Sequence, residues 1–226
     1  MWDMLIMDIE RNLRELERRI ARAAERAGRS PADITIVAVT KGVAVEAIEA
    51  AIKAGIRHIG ENRVQEARAK IERLSTLELQ PMWHMVGHLQ TNKAKTAVQI
   101  FDIIHSINSL RLAEAVSQRA QAIIPVLLQV NVSGEGTKSG FSVAELSQVA
   151  EEIARLSRLE VKGLMTIAPM VADTEEVRPI FQRLRQLRDE LGLEHLSMGM
   201  TDDFEVAVEE GATMVRIGRA IFGQRR

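Results

Sequence analysis

The sequence predicts an α/β fold, a single (β/α)8 TIM barrel with an extra helix at the N-terminus. Three observations carry that prediction. Short β-branched or apolar runs alternate with helix-length amphipathic stretches along the chain. Eight such strand–helix units can be counted, and polar residues recur at the C-terminal ends of the runs. Strand then helix, repeated, means parallel pairing, because parallel neighbours need a crossover. Eight units close into a barrel whose chemistry gathers at the C-terminal ends of its strands. An open doubly wound sheet is the alternative, but no GxGxxG follows the first strand. No linker rich in Pro, Gly or Ser divides the 226 residues, and α/β barrels of this length form one domain. Residues 1–226 are therefore read as one domain, with 1–28 a helix packed on the barrel.

The first helix sets Trp2, Leu5, Ile6, Ile9, Leu13, Leu16 and Ile20 on one face, and Gly28 and Pro31 stop it. The period then changes. ITIVAVT (34–40) is a continuous run, apolar on both faces as a buried parallel strand requires. VAVEAIEAAIKAG is a helix closed by Gly55, followed by the strand IRHIG (56–60) and a helix from Asn62 to Leu74. MWHMVG (82–87), a helix near 91–98, FDIIHS (101–106) and a helix at 109–121 come next. PVLLQVNV (125–132), a helix at 142–156, EVKGLMTIA (160–168) and a helix at 174–191 continue the alternation. HLSMG (195–199), a helix at 202–210 and TMVRIG (213–218) complete it, and Arg219 to Gly223 can turn into a last helix.

Composition narrows the function. The chain is 46% hydrophobic and 27% charged, which places it among globular proteins rather than disordered ones. It has no Cys, so disulfides, thiolate metal sites and Cys nucleophiles are excluded. Lys plus Arg (30) balances Asp plus Glu (31), which argues against a nucleic-acid binder. No apolar run approaches the ~18 residues a membrane span needs. The N-terminus MWDMLIMDIERN carries acids rather than a basic leader, so a cytoplasmic location is expected.

The polar strand ends hold the candidate chemistry. Lys41 follows a largely apolar strand, so its stem is expected to be partly desolvated, which favours the neutral amine. A neutral amine can attack a carbonyl and form a Schiff base. The plainer alternative is a solvated lysine opening a helix. Two glycine-bearing turns tip the balance: Ser197-Met198-Gly199-Met200-Thr201, and Gly218 with Arg219 behind it. The loops after strands seven and eight are the habitual phosphate site of this architecture, and Gly lets backbone N–H groups approach an anion. Asp202 and Asp203 would repel a phosphate unless turned away, and helix capping is their expected role. Arg216 lies in an otherwise apolar strand and needs a partner, either a ligand or a carboxylate such as Glu61. His84 and His88 are four apart, but Gly87 breaks the helical face a zinc site needs, so no metal is expected. The ten Met residues read as core gap-fillers. A reactive lysine, a phosphate cradle and an inward arginine together describe a site for pyridoxal 5′-phosphate (PLP).

At these residues the sequence resembles the pyridoxal phosphate homeostasis protein family, whose members resemble the barrel domain of alanine racemase. The matching stretches are AVTK (38–41), HIGENRVQEA (58–67), WHMVGHLQTNK (83–93) and HSINS (105–109). KSG (138–140), GLMTIAP (163–169), LSMGMTDD (196–203) and EGATMVRIGRAIFG (210–223) complete the set. The resemblance implies that Lys41 holds PLP as an internal aldimine, that Arg216 contacts the pyridine nitrogen, and that Asn62 lies near the ring. It implies that Ser197, Met200, Thr201, Gly218 and Arg219 surround the phosphate, largely through backbone. His84 is counted with the cofactor-binding candidates, and Lys138 resembles a second lysine implicated in handling PLP. Where many relatives carry a lysine two residues after the Schiff-base lysine, this chain has Val43, and Thr201 stands where the family usually has Ser.

Binding is expected rather than turnover. An arginine at the pyridine nitrogen keeps it unprotonated and makes the ring a weaker electron sink. A two-base racemase needs an acid/base on each face of the cofactor. In the alanine racemase resemblance the second is a tyrosine from another domain, and this chain has no Tyr and stops at Arg226. The expected role is PLP homeostasis, with PLP-dependent apo-enzymes as candidate recipients and a monomer as the expected state. The alternatives are a weak PLP-dependent racemase or lyase and, less favoured, a class I aldolase using the same lysine.

Overall fold

The computed structural model describes residues 2–136 and 139–223, with side chains from residue 6 onward. Eight parallel strands close into one barrel in chain order. They are β1 (Thr35–Val39), β2 (His58–Glu61), β3 (Met82–Met85), β4 (Ile103–Ile107), β5 (Ile124–Gln129), β6 (Leu159–Met165), β7 (His195–Ser197) and β8 (Met214–Ile217). The ring closes where Thr35 to Ala38 pair with Met214 to Ile217. Helix α1 (Trp2–Arg26) precedes the barrel. Around it lie α2 (Val45–Lys53), α3 (Val64–Leu74), α4 (Ala94–Ile100), α5 (Leu110–Arg119), α6 (Leu146–Ala154), α7 (Arg178–Glu190), α8 (Phe204–Glu209) and α9 (Arg219–Phe222).

The elements match the expected alternation, and the differences have local causes. Several strands are shorter than their apolar runs: ITIVAVT pairs only over Thr35–Val39, and PVLLQVNV over Ile124–Gln129. The ladder thins at the mouth, where Thr40 still donates to the Gly60 carbonyl and Val130 to the Met165 carbonyl, and hydrophobicity does not mark where the strand ends. The helices expected to begin at 91 and 174 open instead as 3-10 turns, Thr91–Lys93 and Thr174–Val177. At the second, Asp173 and Glu176 form a capping box, and α7 itself starts with proline in its first turn. Proline is tolerated there because that N–H has no intrahelical partner.

Two apolar layers hold the fold. The larger lies between the sheet and the helices and includes Ile48, Ile59, Ile104, Leu112, Phe181 and Phe204. The smaller, Val37, Val86, Ile103, Leu127, Met165 and Met214, fills the barrel interior. Side chains alternate between the two faces of a strand. His84 therefore shares the inner face with Val86, His105 with Ile103, and Arg216 with Met214. The interior is apolar in one band and polar in the next.

Helix α1 lies against α2, α8 and α9. Its apolar stripe, Ile9, Leu13, Leu16 and Ile20, is buried. Asn12 donates to the Ile221 carbonyl at 3.0 Å, and the Arg19 guanidinium lies 4.6 Å over the Phe204 ring. Among the described residues no helix is long and apolar enough to cross a membrane. Leu16→Ala is expected to lower unfolding free energy by about 2–5 kcal/mol, measured by urea denaturation. The exposed Glu17→Ala next to it is expected to change stability by less than about 0.5 kcal/mol.

Candidate active site at the barrel mouth

The turn Thr40–Lys41–Gly42 leaves β1 at its C-terminal end, and a buried lysine on α3 fixes it. Lys70 Nζ donates to the Thr40 carbonyl at 2.6 Å, to Glu61 Oε1 at 2.6 Å and to Glu66 Oε1 at 2.7 Å. Thr40 Oγ1 donates to the same Glu61 oxygen at 2.5 Å, and the Gly42 amide donates to Glu66 Oε1 at 2.6 Å. Both peptide neighbours of Lys41 are thus tied to one charged cluster, while Lys41 itself is half-buried. Burial pushes the Glu61 carboxyl up, against the pull of Lys70 and Thr40.

The expectation that Glu61 could pair with Arg216 is corrected here, because Glu61 is spent on Lys70 and Thr40. Arg216 is buried and instead donates to Ser197 Oγ at 2.7 Å and to the Thr166 carbonyl at 2.8 Å. Its pKa is pushed down to about 10 by burial, with Asp203 acting the other way. Ser197 is wholly buried and also bonds His105 Nδ1 at 2.9 Å. His84 lies deeper, between His58 (3.0 Å) and His105 (2.9 Å), so it meets the arginine only through two intermediaries.

The loops after β7 and β8 stand beside the lysine turn. A Cβ at Gly218 would sit 3.2 Å from the Val39 carbonyl oxygen, tighter than an ordinary contact, so the chain passes close by the end of β1. The loop after β7 is laced to β8: Met198 N donates to the Met214 carbonyl at 3.2 Å and Arg216 N to the Gly199 carbonyl at 2.9 Å. Capping roles are expected for Asp202 and Asp203; Asp203 does stand at the N-cap of α8, but its side chain makes no cap hydrogen bond, and both carboxylates have other partners. Asp203 accepts from the Met200 amide at 2.6 Å and ties the turn before the helix. Asp202 pairs with Arg219. The Met200 amide and the Arg219 guanidinium, both expected to face an anion, thus have carboxylate partners. Thr201 sits half-exposed in the same turn.

On the opposite flank is a cavity of about 250 Å³, lined by Asn62, Val86, Gly87, His88, Gln129, Val130, Asn131, Ser139 and Ile167. Asn62 Oδ1 is buried there with no hydrogen-bond partner among the described residues. An orphaned buried acceptor costs free energy unless a donor arrives. Lys41 does not line this cavity, and Lys138 lies outside the described residues. Among the described residues no group of three or more His, Cys, Asp or Glu could hold a metal ion.

Sequence reasoning missed Lys70, Glu66 and His58. Lys70 had a readable signal: it falls in the buried stripe of α3 with Val64, Ala67 and Leu74, where a lysine needs a partner. His58 and His105 share an inner face with His84, but only the barrel's stagger reveals that the three rings meet.

Two outcomes follow from these geometries. Lys70→Met strands the Glu61 carboxylate and is expected to cost roughly 3–5 kcal/mol; adding Glu61→Gln should recover part of that, as read by urea titration. The second concerns pH. Burial, with His58 adding to it, pushes His84 down to about 3 from its ordinary 6.5. Between those values the unfolded chain binds a proton the folded chain refuses, so stability falls as pH falls. From pH 7 to pH 5 the native protein should lose on the order of 2 kcal/mol more than His84→Leu.

Comparison with known proteins places this arrangement. The family model described as "Alanine racemase, N-terminal domain" matches residues 11–226. The pyridoxal phosphate homeostasis protein of Aquifex aeolicus is 45% identical, covering 96% of this chain and 98% of its own length. The structure of PipY of Synechococcus elongatus with PLP bound superposes with a TM-score of 0.78 at 36% identity, covering 90% of this chain and 100% of that one. Alanine racemase from Corynebacterium glutamicum, at 17% identity and a TM-score of 0.71 over 97% of this chain and 62% of its own, shares the fold. The chain belongs to the pyridoxal phosphate homeostasis protein family, on the barrel of the alanine racemase N-terminal domain.

Proposed function

We propose that this protein binds PLP covalently on Lys41 and serves intracellular PLP homeostasis as a carrier rather than as an enzyme with firm turnover. The observation that carries the reading is the turn bearing Lys41. It is held on both sides by Lys70 and Glu66 and stands next to the Gly218 loop, with the buried Arg216 on the neighbouring strand. The relative with PLP bound supports the same cofactor.

The residues present fit the group. PLP supplies an aldehyde that condenses with an amine, with loss of water, and Lys41 offers that amine. Arg216 offers N–H donors to the ring nitrogen, and its charge keeps that nitrogen unprotonated. Asn62 Oδ1, orphaned inside the mouth, offers an acceptor for a ring hydroxyl. Ser197, Met200, Thr201, Gly218 and Arg219 belong to the loops that would receive the phosphate. There Arg219 supplies positive charge once Asp202 is exchanged for the anion, and the Met200 amide is released only if Asp203 yields it. His84 is assigned a supporting role through His105 and Ser197 rather than a direct contact.

The carrier reading rests on the ring-nitrogen argument and on the absence of tyrosine, which removes the usual second acid/base opposite the lysine. An open mouth suits exchange with PLP-dependent apo-enzymes, and we assign the protein to the cytoplasm as a monomer. The purified protein should take up PLP with visible absorbance, and borohydride should fix the added mass on the peptide containing Lys41. Lys41→Ala should abolish both signals; an unchanged spectrum in that variant would overturn the assignment.

A further inference from the structure

Five polar side chains run in one unbroken hydrogen-bonded line through the barrel. His58 Nδ1 meets His84 Nε2 at 3.0 Å, His84 Nδ1 meets His105 Nε2 at 2.9 Å, and His105 Nδ1 meets Ser197 Oγ at 2.9 Å. Arg216 then donates to that oxygen at 2.7 Å. The rings stand edge-on rather than stacked, with interplanar angles of 61° and 73°. The line starts at the first residue of β2, half-buried, and ends on the buried guanidinium.

Its direction follows from what each group can do. A guanidinium only donates. Ser197 Oγ must accept from it and has one proton of its own to place. Among the described contacts of that hydroxyl the remaining partner is His105 Nδ1. That nitrogen is therefore bare, and a neutral His105 carries its proton on Nε2. Nε2–H donates to His84 Nδ1, which forces the His84 proton onto Nε2. The same step forces the His58 proton onto Nε2. Reversing the line would leave the Ser197 proton facing two donors in a buried site.

We propose that His105, His84 and His58 are positioning residues for Arg216: the guanidinium locks all three as neutral Nε2–H tautomers, and the line so ordered holds the Ser197 hydroxyl that fixes the guanidinium toward the cofactor ring. This rests on the reading of Arg216 as a partner of PLP. Burial keeps the rings neutral: it pushes His84 down to about 3 and His105 well below its ordinary value. Hydrogen bonds in such a line polarise one another, so each member strengthens the next.

The test has two arms. Nitrogen-15 NMR of histidine-labelled protein without PLP should show all three rings neutral and protonated at Nε2. A ring protonated at Nδ1 alone, or charged at neutral pH, overturns the proposal. Ser197→Ala removes the group that sets the direction, so His105 should populate both tautomers; a pure Nε2–H signal in that variant also overturns it. The second arm titrates folded variants with PLP. His105→Leu should weaken binding about tenfold and shift the cofactor absorbance. His105→Asn, whose Oδ1 can still accept from Ser197, should restore affinity to within about threefold. Equal affinity of His105→Leu and the native protein refutes the positioning role. Failure of the native protein to bind PLP refutes the functional reading instead and leaves the tautomer arm standing. Should His105→Leu not fold, the NMR of the native protein decides.

Discussion

A guanidinium enclosed in a barrel and bonded to neutral groups is the constraint on which the interior depends. Arg216 reaches a hydroxyl and a carbonyl rather than a carboxylate. Moving a cation from water into protein is costly, and hydrogen bonds to polar neighbours must offset what a counter-ion would have supplied. Barrel interiors are usually filled by Val, Ile and Leu. Here one band is given over to Ser197 and three histidines, and the apolar filling is confined to Val37, Val86, Ile103, Leu127, Met165 and Met214. The polar band solvates the arginine, and each imidazole in it needs the next one to satisfy its second nitrogen.

The lysine turn is secured by a different device. Lys70, Glu61 and Glu66 form a charged cluster on the outer side of the ring of strands, and it grips the backbone on both sides of Lys41 rather than Lys41 itself. Among the described residues the lysine's side chain has no hydrogen-bond partner, while the peptide groups on either side of it are held. Buried ion pairs contribute little net stability against an apolar alternative. Placed around two peptide groups, this one specifies a backbone position.

Much of this was legible in the sequence. The alternation of strand and helix gave the barrel, and the polar residues at strand ends marked Lys41, Ser197, Arg216 and Gly218, which the fold brings to one end. What period and composition do not encode is stagger. His58, His84 and His105 come from three strands, and whether they touch depends on tilt, not on spacing along the chain. Strand ends were overrun for a related reason: a residue where the ladder thins is no less apolar than one fully paired. Capping is the local expectation for Asp202 and Asp203, and Asp203 does hold the N-cap position, but the partners of the two carboxylates, Arg219 and the Met200 amide, are set by how the turn closes.

The lacing of the loop after β7 onto β8 has a consequence for how such a protein can change. The Arg216 amide is bonded to the Gly199 carbonyl, so β8 and the turn after β7 share a peptide hydrogen bond. The two segments form a single plate. A change in one drags the other, so evolution or design can retune the two only together.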